Sequence, residues 1–405
     1  MDWIIIIILS LFLLGYRYFR LGDFFSPWSI TTIVWLGIMV LFQIESDLLY
    51  PLSNKFYTSL IIWVPIFCSS SLLSFYALPK HLKDEAKRKT EMRDISMTMF
   101  NAFFMLSVIM TPIYVYQIMK IVTMFDTTDL FYNLRYLAVN GENDFGILKY
   151  SYIINQVLFV VAVWQYPKIP GWKLLLVTIA FIMGQFALME KNGLFLMVIT
   201  MLIVLYSKNI IKLRTIFIVL AIIVIVFFLI NFSKEIKSDE GAESATFLDF
   251  IGIYILSPSV AFGYVTQDLS NQFGAHTFEY FYSLLDNWGI GDYVVYERLR
   301  GYVWVPLPTN VYTIFQPFYE DFGYQGIAFF AFIYGVIMGT AYRFFKYGYF
   351  IALCIYTFLA KVMFVQFYHE DFIMSIATFG QFTILVLLIS IPWKLPFKTV
   401  FLSKE

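Results

Sequence analysis

Arg135, Arg298, Arg300, His276, Glu320 and Asp321 are the residues whose types and settings in this chain best fit chemistry. Arg298 and Arg300 stand two apart in Tyr296-Glu-Arg-Leu-Arg-Gly-Tyr302, and His276 sits in Gly274-Ala-His-Thr277. Glu320 and Asp321 are adjacent, and Arg135 lies in a separate polar stretch, 123–149. A guanidinium offers phosphate oxygens a fixed fork of donors, which weights arginine above lysine as a diphosphate ligand. A histidine or a carboxylate can take the proton of an attacking hydroxyl, and imidazole ordinarily titrates near neutrality. Such a set suits group transfer from a phosphate-type leaving group to a hydroxyl. Plainer roles compete. Arginines anchor at lipid headgroups or would pair with Glu297, a lone loop histidine is usually a surface residue, and Glu320-Asp321 could cap a helix.

These residues need a scaffold, and composition dictates its kind. The chain is 60% apolar and only 14% charged, well outside soluble averages, and the apolar residues come in long runs. A polytopic, all-α membrane protein follows, because neither open strands nor loops can face lipid with unpaired backbone groups. Spans are expected near 3–16, 28–43, 56–76, 96–122, 150–166, 174–189, 193–206, 215–232, 322–342, 348–367 and 373–392. That makes about 11 transmembrane helices in a single membrane domain, 1–405. Within it, residues 233–321 form a long polar and aromatic island, expected to hold re-entrant or interfacial helices and the chemistry.

Lysine and arginine assign the sides. One set of connections carries Arg17, Arg20, the run Lys80 to Arg93, Lys168, Lys173, Lys208, Lys212, Arg214, Arg343, Lys346, Lys394, Lys398 and Lys404. The longer opposite set carries fewer, so the first is expected to face the cytoplasm and the island to be extracytoplasmic, with the N-terminus outside and the C-terminus inside. On the same rule 174–206 reads as a tight hairpin with Glu190-Lys191-Asn192 at its outer tip. The apolar stretch 246–266 reads better as interfacial or re-entrant than as a further span: Asp249 and Ser257-Pro258-Ser259 interrupt it, and Phe247, Phe250, Ile251, Tyr254 and Ile255 share one face. Ile4–Ile8 is expected to open an uncleaved first span. Cys68 and Cys354 both fall in apolar spans, which argues against a disulfide framework.

Signatures for a nucleotide-phosphate loop, a dinucleotide fold, zinc binding and a serine-hydrolase elbow are all missing. No cofactor, metal or nucleic acid is therefore expected. A reaction on the outer side then needs a donor already activated and carried in lipid; a polyprenyl-diphosphate-linked sugar meets that need. The departing diphosphate calls for fixed cations, among which Lys191 is a further candidate, although pairing with Glu190 competes. Lys234 and Lys237 follow a span directly and suit headgroup anchoring. Tyr302, Tyr312 and Tyr319, with Tyr280, Tyr282, Tyr293, Tyr296 and Trp304, could stack on sugar rings or form an interfacial belt. Pro306, Pro308 and Pro317 bound a short segment containing Thr309 and Asn310 that is expected to dip toward the membrane. Glu45-Ser46-Asp47 mimics the short acidic motif of metal-using membrane glycosyltransferases but reads better as a solvated loop, and His369-Glu370-Asp371 reads as a polar turn, since three adjacent ligands do not readily face one ion.

Pro308-Thr-Asn-Val-Tyr-Thr313 with Asp321-Phe-Gly323 resembles the O-antigen or oligosaccharide repeat-unit polymerases, the Wzy family. Asp23-Phe-Phe-Ser-Pro27, Leu49-Tyr-Pro-Leu52 and Tyr254-Ile-Leu-Ser-Pro-Ser-Val-Ala-Phe262 look like other parts of that family, so the likeness covers most of the chain. The spacing Arg135-x10-Gly146 is associated with the same polymerases; neither island arginine has a glycine at that distance, and Lys191 stands where the family often has arginine. The resemblance implies a glycosyltransferase of the bacterial inner (plasma) membrane that joins undecaprenyl-diphosphate-linked oligosaccharide repeat units at the outer face. Membrane lipid, a chain-length regulator and a flippase are the implied partners. The candidate substrate contacts are Gly146, Lys191, Tyr302, Thr309, Asn310, Tyr312 and Tyr319. An O-antigen ligase or another polyprenyl-dependent glycosyltransferase is the rival enzyme. A flippase is the rival transporter, against which the concentration of polar residues in the island, and not in mid-span, argues.

Overall fold

The computed structural model describes residues 1–44, 49–77, 95–125, 130–139, 145–189, 191–216, 218, 252–268, 272–296, 300–306 and 308–391. Helices dominate these residues, as the apolar runs require. They are α1 Asp2–Tyr18, α2 Pro27–Ile44, α3 Asn54–Ala77, α4 Met97–Val122, α5 Leu130–Val139, α6 Ser151–Gln165, α7 Gly171–Leu188, α8 Lys191–Ser207, α9 Ser257–Ala261, α10 Glu279–Asn287, α11 Gln316–Lys346, α12 Phe350–Val365 and α13 Ile376–Ser390. Six segments are long and apolar enough to cross a membrane: α2, α3, α4, Gly146–Gln165, α7 and α11. Asn192–Ser207, Phe350–Val365 and Ile376–Ser390 are shorter apolar helices. This is the make-up of an all-α membrane protein. The expected span 215–232 lies almost wholly outside the described residues, as do Phe247, Phe250 and Ile251.

The described part of 246–266 is not one helix. It runs through a wide turn at Gly252–Leu256, the short α9 and a tight turn at Phe262–Tyr264. Pro258 sits in the first turn of α9, where a missing N–H costs least; the expected break at Ser257-Pro258-Ser259 is absent, since Leu256 before it keeps right-handed helical angles, φ −99° and ψ −36°, and only the pitch changes.

The chain packs as two compact units. One comprises Met1–Pro79, Leu202–Lys346 and Tyr356–Phe379; the other comprises Lys80–Met201, Tyr347–Ile355 and Gly380–Glu405. In the first, α11 lies against α3 with almost no side chain between them. A Cβ on Gly335 would fall 2.6 Å from the Phe67 carbonyl oxygen, and one on Gly339 would fall 2.2 Å from that of Ser71. Ser70, Ser71 and Ser74 supply the facing surface, each hydroxyl bonded back to its own helix. Small residues four apart let backbones meet closely, the usual solution where lipid offers no hydrophobic drive between helices.

The second unit is held by a polar node. Asn155 of α6 is fully buried. Its amide nitrogen donates to Thr111 Oγ1 of α4 at 2.9 Å and to the Ala180 carbonyl of α7 at 3.2 Å, and its oxygen accepts from Ser107 at 2.6 Å. One side chain thus ties three apolar helices together.

Gly335→Ala is expected to destabilise the protein by about 1–3 kcal/mol through overpacking, read as a lowered thermal midpoint of the detergent-solubilised protein. Gly37→Ala is the control, because nothing lies within 4 Å of the Cβ it adds. Equal midpoints for the two variants would contradict the close approach.

Candidate functional site

Glu320 and Asp321 ride on the opening turns of α11, ahead of the 322–342 span, and a single residue sets where they point. Gly323 leaves the helical path with φ +60° and ψ −147°, a conformation that only glycine adopts readily. A Cβ there would also lie 2.2 Å from Gln267 Nε2. The kink therefore turns the first part of α11 and opens room for the extended stretch 265–268 beside it. That stretch is pinned at both ends: the Asp268 N–H donates to the Glu320 carbonyl at 2.8 Å. Lys55 of α3 donates to the carbonyls of Gly263, at 2.9 Å, and Val265.

Asp321 hangs a second segment on α11. Its carboxylate accepts the backbone N–H groups of His276 at 3.0 Å and Thr277 at 2.6 Å. Thr277 completes the attachment by donating to the Pro317 carbonyl at 3.2 Å. Asp321 thereby organises the histidine loop.

Four side chains meet as a result. Nε2 of His276 lies 3.1 Å from Asp268 Oδ2, which also accepts the Tyr296 hydroxyl at 2.7 Å. Nδ1 of His276 meets Arg300 Nη2 and lies 3.6 Å from Glu320 Oε2. Arg300 Nη2 reaches Glu320 Oε2 at 3.1 Å, and Gln316 donates to Glu320 Oε1 at 3.3 Å. The Tyr296 ring lies over both, with its centroid 4.2 Å from that of His276 and 5.8 Å from the Arg300 guanidinium carbon. His276 is buried at the centre, with Arg300, Glu320 and Asp268 more open around it.

Burial raises the Glu320 carboxyl above the ordinary carboxylate range, and the Arg300 guanidinium is the chief group opposing the rise. A carboxylate moved in this direction is a better proton acceptor than one in water. The Tyr312 hydroxyl is likewise raised, by burial first and by Glu320 second, with Arg300 opposing. The cluster can therefore hold a hydroxyl-bearing ligand and accept its proton. Among the described residues no group of three or more His, Cys, Asp and Glu side chains is arranged to hold a metal ion.

The other expected site residues fall in several places. Thr309 is buried in β2, Pro308–Thr309, which pairs antiparallel with β1, Val303–Trp304, so that Val303 faces Thr309. Asn310 follows it, half-buried. Tyr312 is buried and donates to the Gly301 carbonyl at 3.5 Å, beside the arginine segment. Tyr302 is exposed. Tyr319 packs edge-on against Phe262 and Tyr324 under the Lys55 ammonium. Arg298 lies outside the described residues, and so does the side chain of Lys191 at the start of α8. Arg135 belongs to the second unit, on the exposed side of α5, because Leu134 and Leu137 are packed against Tyr114, Ile118, Val122 and Ala187. Gly146 opens the turn Gly146–Tyr150 with φ +59°. Asp268 is a member of the cluster that the sequence does not announce: a lone aspartate in a polar loop carries no pattern.

Part of the chain has a curated counterpart. Over 145 residues it is 29% identical to a protein of Escherichia coli (strain K12) described as "Putative O-antigen polymerase". The match covers 35% of this chain and 36% of that relative's length. No family model and no solved structure matches the chain.

The direction at Glu320 makes a prediction about stability. A carboxyl raised on folding contributes stability at low pH that is lost as pH climbs through its folded value. Glu320→Gln mimics the protonated form. Its thermal midpoint should match wild type near pH 4 and exceed it progressively toward pH 8. A difference that does not change with pH would contradict the burial-dominated environment.

Proposed function

We propose that this protein is a surface-polysaccharide polymerase of the O-antigen type, a glycosyltransferase that joins oligosaccharide repeat units carried on a polyprenyl diphosphate. The observation that carries the reading is the Asp268–His276–Arg300–Glu320 cluster, with His276 buried at its centre, at the head of α11, a helix long enough to span a membrane. It supplies proton-transfer chemistry beside lipid. The partial likeness to the Escherichia coli protein supports the substrate class. On this reading the chain has eleven spans, residues 233–321 lie on the outer side of the bacterial inner membrane, and 1–405 works as one membrane domain around that loop.

The reaction needs no external energy source, because the lipid diphosphate is already a leaving group. Glu320 takes the proton of the acceptor hydroxyl at the non-reducing end of a fresh repeat unit. The hydroxyl oxygen then forms the new bond to the anomeric carbon of the growing chain. The bond from that carbon to the diphosphate oxygen breaks, and the electron pair leaves with the diphosphate. Arg135, Arg298 and Arg300, with Lys191, are the cations assigned to that departing charge. Tyr302, Thr309, Asn310, Tyr312 and Tyr319 are assigned to the sugars, and Gly146 to the turn that follows Arg135. A chain-length regulator and a flippase are the proposed partners, and no nucleotide sugar or metal enters the cycle.

Two experiments test this. In cells, Arg135→Ala and Glu320→Gln should each reduce the long-chain polysaccharide ladder to a single repeat unit while protein still accumulates in the membrane. Loss of a positioned base or of one preorganised donor typically lowers turnover by about two to three decades. Arg135→Lys should rescue only partly, since a point charge lacks the two-pronged geometry. A normal ladder from both Arg135→Ala and Glu320→Gln would defeat the reading, and loss of all repeat units from the lipid core would favour a ligase. Sidedness is tested by cysteines at Gly241 and Ser403: an impermeant thiol reagent applied to whole cells should label the first and spare the second.

A further inference from the structure

His276 is the residue in the cluster that looks most like a general base, yet both its ring nitrogens are already engaged. An ionised carboxylate only accepts hydrogen bonds, so the ring nitrogen facing Asp268 Oδ2 at 3.1 Å must carry the proton. A guanidinium only donates, so the nitrogen facing Arg300 Nη2 must present its lone pair. The two demands agree on one species, neutral imidazole with the proton on Nε2. A second proton would set an N–H donor against an Arg300 donor.

We propose that Asp268 and His276 are positioning residues. Asp268 holds His276 in its Nε2–H tautomer, and the Nδ1 lone pair holds Arg300 against Glu320, the group that takes the acceptor proton. The chain of contacts is Asp268 Oδ2 to His276 Nε2, His276 Nδ1 to Arg300 Nη2, and Arg300 Nη2 to Glu320 Oε2 at 3.1 Å. Each partner is itself fixed. Tyr296 bonds Asp268 at 2.7 Å and covers the imidazole, Asp321 holds the His276 backbone, and Gln316 holds the far oxygen of Glu320. Among the described residues, the charged and titratable groups facing Glu320 are Arg300, His276, Asp321 and Tyr312. Arg300 is the cation among them, so its placement governs the pH at which Glu320 becomes a base. This inference rests on the transferase reading for the role of Glu320, but not for the relay itself.

The test separates the two ring nitrogens. Asparagine places an amide oxygen near the Nδ1 position; glutamine reaches toward the Nε2 position and leaves Nδ1 without a substitute. Ionisation of the Glu320 carboxyl is followed by infrared difference spectroscopy of purified protein against Glu320→Gln, which needs no substrate. In parallel, the pH profile of polymerisation is measured with lipid-diphosphate-linked repeat units. In His276→Gln and Asp268→Ala, Arg300 loses its seat, so both the Glu320 titration and the acid limb of activity should move to higher pH. Turnover should fall about a hundredfold at pH values where wild type is fully active, as when a positioned group shifts by about 1 Å. His276→Asn should keep the wild-type titration and stay within about tenfold of wild-type turnover, whereas a proton-transferring histidine would lose activity equally as Asn or Gln.

Equal inactivation of the Asn and Gln variants, both folded by thermal unfolding, would overturn the proposal. So would an unshifted Glu320 titration in Asp268→Ala. If the titration shifts as expected while wild-type protein forms no polymer, the relay stands and the transferase reading falls.

Discussion

The side-chain oxygen of Gln366 accepts two indole N–H groups, from Trp35 of α2 at 3.1 Å and Trp63 of α3 at 3.3 Å, and the cluster is built on that node. All three residues are buried. A buried amide or indole left without a partner costs about 1–3 kcal/mol, so the three groups specify one another in an otherwise apolar setting. The Gln366 backbone carbonyl then accepts the Ile314 N–H at 2.9 Å, which seats the end of the Pro308–Thr313 segment on the same point. Phe315 stacks on Trp35 with ring centroids 5.0 Å apart, and Phe318 stacks between Trp63 and Phe330. Glu320 and Asp321 follow just beyond Tyr319. Their position is thus inherited from an aromatic floor whose register one glutamine fixes.

From that floor the cluster assembles by satisfying the backbone of loops. An irregular segment beside a membrane must find partners for its N–H and C=O groups within the protein. Asp321 takes two such N–H groups from 276–277, Lys55 supplies donors to two carbonyls of 263–265, and Glu320 lends its own carbonyl to Asp268. Asp321, a candidate for chemistry in the sequence, thus holds loop backbone as well. The same residues therefore couple loop placement to site geometry, and substitution at Asp321 would disturb both.

How far all this is legible in the sequence differs by level. Helix positions follow from composition alone, because a span must be long and apolar; α2, α3, α4, α7 and α11 stand close to the expected runs. His276, Arg300, Glu320 and Asp321 are also recoverable, as charged residues in a polar island flanked by apolar runs. Their grouping is not, since it depends on the Gly323 kink and on Gln267 lying over it. Asp268, Gln316 and the Gln366 node are invisible for the same reason: each is an ordinary polar residue until tertiary contacts give it a partner. Arg135 and Gly146 share a short stretch of the second unit, while Arg298 and the Lys191 side chain lie outside the described residues.

Charge balance then limits what the cluster can bind. Among the described residues Arg300 is met by Glu320, with Asp268 and Asp321 close by, so a full set of ionised carboxylates would outnumber the described cations of this half-buried site. Two features relieve it. Asp321 spends its charge on backbone N–H groups, and burial biases Glu320 toward its protonated form. Among the described residues, carboxylates and tyrosines surround the Arg300 guanidinium, a setting that suits hydroxyl groups, because hydroxyls can donate to every acceptor present. Among the described residues the cluster therefore suits a hydroxyl-bearing ligand, which is the part of the proposed reaction that its charges favour.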